Sequence, residues 1–174
     1  MASPNAQPVP SGRSRIDVPV DPRDLPGDFA FCREVEVRFA DTDAMGHVNN
    51  ARYLTYCEIA RAGYYEAVTG RPLPLGVHGA TEGMILADIR VTYRSPAFYG
   101  ETLSVETRVS RIGRTSFTME HRLTAPDSRY GERRLVATAK SVLVSYDYQA
   151  ERPISVPPEL VEEVEAFERR GLRG

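Results

Sequence analysis

The stretch RFADTDAMGHVNNARYLTYCEIARAGY, residues 38–64, holds the features on which the rest of the chain depends. It begins with strand-like residues and then passes through a polar turn with two carboxylates, a glycine, a histidine and two asparagines. After the turn, apolar side chains recur at steps of three or four, as in an amphipathic helix. A turn of this kind places a carboxylate beside the free backbone N–H groups of a helix start, where a carbonyl group can be polarised.

The long helix is predicted to begin at Asn49 or Asn50, because an asparagine side-chain oxygen readily accepts a first-turn N–H. Gly70 and Pro72 are expected to end it. Its apolar stripe consists of Tyr53, Cys57, Ala60, Tyr64 and Val68.

Period-two alternation predicts one strand before this helix and four after it. The residues expected on the inward faces are Val35, Val37 and Phe39; Ile85, Ala87, Ile89, Val91 and Tyr93; Leu103, Val105, Thr107 and Val109; Phe117, Met119, His121 and Leu123; and Val136, Thr138, Val142 and Val144. Strands gathered after one helix favour the α+β class, with an antiparallel sheet of about five strands covered by the long helix.

Three segments are predicted along the chain. Residues 1–30 are rich in Pro, Ser and Arg and indicate a flexible leader, because they bury too little apolar surface to offset the entropy of ordering. Residues 31–158 form the folded domain, and residues 159–174 a short C-terminal helix and tail that either packs on the domain or frays. The irregular connection at residues 71–83 has the length of a functional lid.

Composition excludes several classes of protein. The net charge is -2 and the pI about 6.0, which argues against nucleic acid or an anionic membrane as the main partner. No apolar run approaches the roughly 20 residues of a membrane span. The two cysteines supply neither a disulfide framework nor a metal set, so we expect a reducing, cytoplasmic setting and no metal.

The motif DTDAMGHVNNARYLTYCEIAR resembles the signature turn and helix of the hotdog-fold acyl-CoA thioesterases, in the 4-hydroxybenzoyl-CoA thioesterase-like branch. The downstream pattern is similar too: VTYRSP at 91–96, GETL at 100–103, a hairpin at Gly113, and the Arg152-Pro153 and Pro157-Pro158 pairs. The resemblance spans about residues 32–160. It implies a hotdog fold, with the sheet wrapped around one long central helix.

The resemblance also implies a function and a site. The catalytic aspartate of that family corresponds to Asp43, and the family's N–H groups that polarise the thioester carbonyl correspond to the backbone around Asn49 and Asn50. The implied reaction is hydrolysis of an acyl thioester, by a homodimer or homotetramer that binds the substrate between subunits. CoA enters only as part of the substrate, and no cofactor is implied. Some members carry a histidine at the position of Asn50.

Acyl-carrier-protein thioesterases share the D-x-x-x-HVNN turn, but they carry a catalytic asparagine where this chain has Met45. Asp43 either attacks the thioester carbonyl or activates water as a general base. Asp41 is expected to be structural. His47 either orients substrate or protonates the leaving group, or it holds the turn through a backbone hydrogen bond.

The predicted catalytic residues are therefore Asp43, His47 and Asn50. Gly46 is predicted to supply a backbone shape that side chains forbid. Cys57 competes as a nucleophile but is expected to be a core residue, His121 a core or interface residue, and His78 a surface residue or a substrate contact. The predicted substrate-binding residues are Gly46, Asn49, Tyr53, Arg94 and Arg114.

Two other functions compete with thioester hydrolysis. Hotdog dehydratases and hydratases carry a different sequence pattern, which includes a Phe-Pro-Gly turn that is absent from this sequence. A non-catalytic acyl-thioester binding protein would usually carry a DNA-binding module, for which the leader is short and irregular.

Overall fold

The structure is a computed structural model that describes residues 25, 27–72, 81–125 and 134–174. The strands are β1 Phe31–Glu36, β2 Glu82–Tyr93, β3 Thr102–Ile112, β4 Ser116–Ala125, β5 Arg134–Asp147 and β6 Arg152–Pro153. The helices are α1 Arg52–Thr69 and α2 Pro158–Glu168, and a short 3-10 helix covers Phe39–Asp41.

The strands form one antiparallel sheet in the order β1-β3-β4-β5-β2, and β6 pairs with the end of β5. The buried face of α1 packs on this sheet, in a core cluster that joins Tyr53, Tyr56 and Cys57 to Val105 and Leu123. The helix ends at Gly70, whose φ of 66° is the left-handed conformation that favours glycine. The structure thus confirms the predicted α+β class and the sheet around a long helix.

The C-terminal helix α2 packs on the body of the protein. Leu160, Val161 and Val164 are buried in a second core cluster beneath the last turns of α1. At the end of α2, Glu168 Oε1 accepts hydrogen bonds from the Tyr64 hydroxyl at 2.7 Å and from the Val109 N–H at 2.8 Å. The helix is therefore fixed to both α1 and β3.

Three predicted inward positions outside β5, Phe39, Ala87 and Tyr93, are exposed instead. Phe39 is 77% exposed, because the chain leaves β1 at Glu36 and the 3-10 helix carries this residue outward. Ala87 is exposed because a β-bulge between Leu86 and Asp88 interrupts the alternation of β2.

On β5 the inward residues beneath α1 also differ from those expected. Met119 of β4 pairs with Ser141, and Phe117 pairs with Leu143. The predicted inward residues Thr138, Val142 and Val144 therefore lie on the opposite face. Both valines are half-buried, whereas Ser141 and Leu143 are buried.

The predicted core residue His121 is fully buried, but only one of its ring nitrogens has a partner. Its Nδ1 lies 2.9 Å from the Thr107 hydroxyl, whereas Nε2 has no hydrogen-bond partner in the described part of the chain. The buried Ser141 hydroxyl on the neighbouring strand also has none there. Burial lowers the pKa of His121 to about 3, so the ring is neutral at physiological pH.

Part of the predicted leader lies against the outer face of the sheet. The guanidinium groups of Arg108 and Arg122 lie 4.4 Å and 4.6 Å from the centre of the Phe29 ring. Arg108 also donates to the Asp28 carbonyl. The rest of the leader (residues 1–24 and 26), most of the lid-like connection with His78, and the turn predicted at 125–131 beyond Ala125 lie outside the described residues. Within the described ranges, neither helix is long and apolar enough to cross a membrane.

Candidate active site

The polar turn after β1 is a tight loop closed by its own backbone. The Asp43 N–H donates to the His47 carbonyl at 3.0 Å, and the Gly46 N–H donates to the Asp43 carbonyl at 2.9 Å. Gly46 has a φ of 79°, and a Cβ there would meet nothing within 4 Å. The backbone conformation, rather than lack of space, therefore favours glycine at this position.

The first carboxylate of the turn, Asp41, is fully buried and engaged by Arg38. Its Oδ2 accepts from the Arg38 N–H at 3.0 Å and Nε at 3.1 Å, and its Oδ1 accepts from Nη2 at 2.9 Å. Arg52 Nε lies 3.6 Å from the same Oδ1. These hydrogen bonds from Arg38 lower the pKa of Asp41. The predicted structural role of Asp41 is confirmed.

The second carboxylate, Asp43, is partly open to solvent, with its side chain 28% exposed. Its Oδ1 accepts the Met45 N–H at 2.9 Å and lies 3.9 Å from His47 Nδ1. Its Oδ2 makes no hydrogen bond with any described residue. One oxygen of Asp43 therefore stabilises the turn, and the other can meet a bound molecule.

His47 lies in the same turn with its side chain one-third exposed. Its Nδ1 is 3.3 Å from the carbonyl oxygen of Val48, and it donates there when the ring proton is on Nδ1. This contact is the turn-holding hydrogen bond considered for His47. It leaves Nε2 for a substrate or leaving group.

The start of α1 is organised by Asn49. The Asn49 N–H donates to the Asp41 carbonyl, and the Asn49 carbonyl accepts from Arg52, each at 2.9 Å. The Asn49 side-chain oxygen accepts the Ala51 N–H at 2.9 Å, within the turn that precedes the helix. The predicted helix start at Asn49 or Asn50 is wrong, because α1 begins at Arg52 and its N-cap residue is Ala51, which makes no side-chain capping hydrogen bond. The N–H of Asn50 makes no hydrogen bond with another described residue. It is thus a donor available to a carbonyl oxygen.

Tyr93, the last residue of β2, also reaches this connection. Its hydroxyl donates to the Asn50 carbonyl at 3.0 Å, and its ring meets the Tyr53 ring edge-on at 5.1 Å. Tyr93 is absent from the predicted site, because the contact joins residues 43 positions apart. The one sequence signal was its place in the VTYRSP segment quoted for the family resemblance.

The structure places the predicted substrate-binding residue Tyr53 in the core beneath the turn. It is 2% exposed, and burial raises its pKa to about 12. Ala97 and Val48 belong to the same core cluster as Tyr53, and the Ala97 carbonyl oxygen accepts the Val48 N–H at 2.8 Å. Tyr53 therefore supports the turn from below.

The two predicted arginines lie at opposite ends of the sheet. Arg94 follows Tyr93 at the end that carries the turn, is exposed, and donates its N–H to the Val136 carbonyl. Arg114 lies in the connection between β3 and β4. That connection and the turn lie at opposite ends of β3, which is about 35 Å long as an extended strand. The structure therefore does not bring Arg114 to the turn of its own subunit.

Cys57 does not compete with Asp43 as a nucleophile. Its thiol is fully buried, and burial raises its pKa to about 12, so the reactive thiolate is suppressed. The predicted core role of Cys57 is confirmed. Among the described residues, no group of three or more His, Cys, Asp or Glu side chains could hold a metal ion.

Comparisons with known proteins match this fold. Residues 37–164 match the sequence profile of the thioesterase-like superfamily. A 1,4-dihydroxy-2-naphthoyl-CoA hydrolase of Synechococcus elongatus is 27% identical over 76% of this chain and 92% of its own length. A crystal structure of a thioesterase from Thermus thermophilus, complexed with coenzyme A and zinc, is 34% identical with a TM-score of 0.68, over 83% of this chain and 98% of that one.

A third comparison concerns the fold alone. A 4-hydroxybenzoyl-CoA thioesterase, solved as an aspartate-to-asparagine variant with 4-hydroxybenzoyl-CoA, superposes with a TM-score of 0.70 at 22% identity. It covers 77% of this chain and 97% of that one. The antiparallel sheet around α1 is accordingly the hotdog fold. The chain belongs to the thioesterase-like superfamily, and it is an enzyme of the thioester hydrolase class.

Proposed function

We propose that this protein hydrolyses acyl-CoA thioesters to free acid and CoA, with Asp43 as the catalytic carboxylate and the Asn50 N–H as the donor that polarises the thioester carbonyl. The observation that carries the proposal is the contrast within the turn. The Asp41 carboxylate is buried and bonded to Arg38, whereas one Asp43 oxygen, in the turn before α1, has no hydrogen-bond partner among the described residues. Coenzyme A bound to the 34% identical thioesterase supports CoA as the carrier.

Two routes fit this geometry. In the first, an Asp43 oxygen attacks the thioester carbon, the C–S bond breaks with loss of the CoA thiolate, and water cleaves the resulting anhydride. In the second, Asp43 removes a proton from water while the water oxygen attacks the same carbon, and the C–S bond then breaks with loss of the CoA thiolate. In both routes negative charge develops on the carbonyl oxygen, and a fixed N–H there stabilises it.

The partly exposed His47 is the proposed source of the proton for the departing sulfur. When Nδ1 donates to the Val48 carbonyl, Nε2 carries a proton for the sulfur only in the doubly protonated ring, which becomes neutral as the proton leaves. A thiolate leaves readily even without a proton, so we expect His47→Gln to lower turnover less than a change at Asp43.

Release of free thiol tests the function directly. The purified protein would be incubated with CoA esters of short, long and aromatic acids, and with one acyl-carrier-protein thioester, and the new thiol measured with a colorimetric reagent. We expect turnover of at least one CoA ester. Hydrolysis confined to the carrier-protein thioester would replace CoA by a carrier protein, and binding without thiol release would indicate a non-catalytic acyl-thioester binder.

The proposed working form is a homodimer or a larger homo-oligomer. The strand β2 forms one edge of the sheet of described strands, with β5 as its one neighbour there, and it carries the exposed Leu86 and Ala87. A long edge of this kind pairs readily with a second copy. Light scattering that returned a monomer at assay concentration would contradict this assembly.

A further inference from the structure

The hydrogen bond between the Tyr93 hydroxyl and the Asn50 carbonyl connects the edge of the sheet to the start of α1. Tyr93 ends β2, and Asn50 lies in the connection that precedes α1. Neither the β-ladder nor the helix requires this bond. It therefore has a role other than completing regular secondary structure.

The peptide groups on either side of Asn50 are held by different partners. The peptide that joins Asn50 to Ala51 is fixed at both ends, because its carbonyl accepts from Tyr93 and its N–H donates to the Asn49 side chain. The peptide that joins Asn49 to Asn50 is fixed at its carbonyl, which accepts from Arg52. Its N–H, that of Asn50, is the group without a hydrogen bond to another described residue.

We infer that Tyr93 is a positioning residue, whose hydroxyl fixes the backbone at Asn50 so that the Asn50 N–H is aimed at the thioester carbonyl. This inference rests on the proposed function. A fixed donor stabilises the developing charge without reorganising during the reaction, and a displacement of about 1 Å can cost a hundredfold in rate.

Packing determines where the Tyr93 hydroxyl points. The Tyr93 ring stands edge-on at 79° to the ring of Tyr53, which is buried in the core. Partial burial also raises the pKa of Tyr93, which keeps its hydroxyl a donor at neutral pH. The start of α1 is thereby connected through one side chain to the rigid interior.

Tyr93→Phe removes the hydroxyl and retains the ring contact. Tyr148→Phe is a matched control, since the two tyrosines are 44% and 41% exposed and each meets another tyrosine ring edge-on. The Tyr148 hydroxyl makes no hydrogen bond with a described residue, and it lies at the opposite end of the sheet. We expect Tyr93→Phe to lower kcat about tenfold with KM within twofold, and Tyr148→Phe to change neither.

Amide hydrogen exchange by NMR gives a second readout that does not depend on turnover. Exchange at the hydrogen-bonded amides of Ala51 and Arg52 should accelerate severalfold in Tyr93→Phe and stay unchanged in Tyr148→Phe. An unchanged kcat, a raised KM at constant kcat, or a changed molar mass would each overturn the positioning role. If the unaltered protein released no thiol, the proposed function would fail, and unchanged exchange at Ala51 and Arg52 would separately refute the role of Tyr93.

Discussion

Asp41 and Asp43 lie two residues apart in one turn, yet their surroundings are opposite. Asp41 has no exposed surface and accepts three hydrogen bonds from Arg38. Asp43 is 28% exposed and accepts one hydrogen bond, from the Met45 N–H. A carboxylate saturated with donors is fixed and weakly basic, whereas one with an unbonded oxygen can still bind a reacting group. Under the proposed function, this contrast predicts that Asp41 stabilises the turn and that Asp43 carries the chemistry.

The largest effect is expected from Asp43→Asn. Turnover of the preferred acyl-CoA should fall at least a hundredfold, or about 2.7 kcal/mol of transition-state stabilisation. The melting temperature should change little, because the asparagine oxygen can still accept the Met45 N–H. The measurements are steady-state kinetics and thermal unfolding of the same preparation.

A matched control for that substitution is Asp147→Asn. Asp147 Oδ1 also accepts nearby backbone N–H groups, from Gln149 at 2.8 Å and Ala150 at 2.9 Å, at the other end of the sheet. Turnover of this control should be unchanged. Near-normal turnover in Asp43→Asn would leave Asp43 with only the turn-capping role that Asp147 has.

The reverse pattern is expected for Asp41→Asn. The amide turns an N–H group toward the Arg38 donors, so the free energy of unfolding should fall by about 2 kcal/mol. This value is reduced because Arg38 itself is largely exposed. Urea unfolding followed by circular dichroism measures the loss. If Asp41→Asn kept full stability but lost turnover, Asp41 would have the catalytic role that is proposed for Asp43.

A pH series distinguishes Asp41 from a second buried titratable group, His121. The pKa of His121 is about 3 in the folded protein and about 6.5 when unfolded, so only the unfolded chain takes up this proton between those values. This group's contribution to stability therefore falls as pH drops from 6.5 toward 3, by at most about 1.4 kcal/mol per unit.

The lowered pKa of Asp41 acts in a different range. The Asp41 carboxylate contributes to the free energy of unfolding above its unfolded pKa of about 3.9. This contribution is lost as the pH falls through the lower pKa of the folded state. Unfolding free energies at about pH 4.5–6.5 should thus have a smaller pH slope in His121→Gln, while Asp41→Asn leaves the slope there unaltered. Equal slopes in the unaltered protein and His121→Gln would contradict the neutral buried ring.

The smallest effect is expected from Cys57→Ala. Because the thiol is a buried core group with a pKa raised to about 12, its removal should leave kcat/KM within twofold. Iodoacetamide at mildly alkaline pH should modify the exposed Cys32 and spare Cys57, as read by mass spectrometry of peptides. If Cys57→Ala lost its turnover while its stability was preserved, the thiol, and not the Asp43 carboxylate, would be the group that carries the chemistry.

Local periodicity was sufficient for much of this fold. The alternation of Val105 with Thr107 and of Met119 with His121 identifies two central strands, because these side chains are buried at regular spacing. On β5 the rule selected Val142 and Val144, since hydrophobicity alone favours them. The structure instead places Ser141 and Leu143 on the inward face, because pairing with β4 decides which face turns inward.

The site was predictable to the extent that it is local in sequence. The turn from Asp41 to Asn50 carries its own hydrogen bonds, so the local side-chain contact of Asn49 and the conformation of Gly46 follow from the residues, although α1 begins later than predicted, at Arg52. The Tyr93 contact depends on how the end of β2 meets the helix start, and the remoteness of Arg114 depends on the direction of β3. Both are properties of the assembled sheet, which no short motif contains.

The unpartnered hydroxyl of Ser141 has a consequence for engineering, since it has no hydrogen-bond partner among the described residues. Burying a hydroxyl oxygen without a hydrogen bond lowers the free energy of unfolding, whereas burying a methyl group of similar size carries no such cost. Alanine at this position should therefore give a more heat-tolerant catalyst, and because Ser141 lies in the strand interior rather than in the turn, the gain should come without loss of rate.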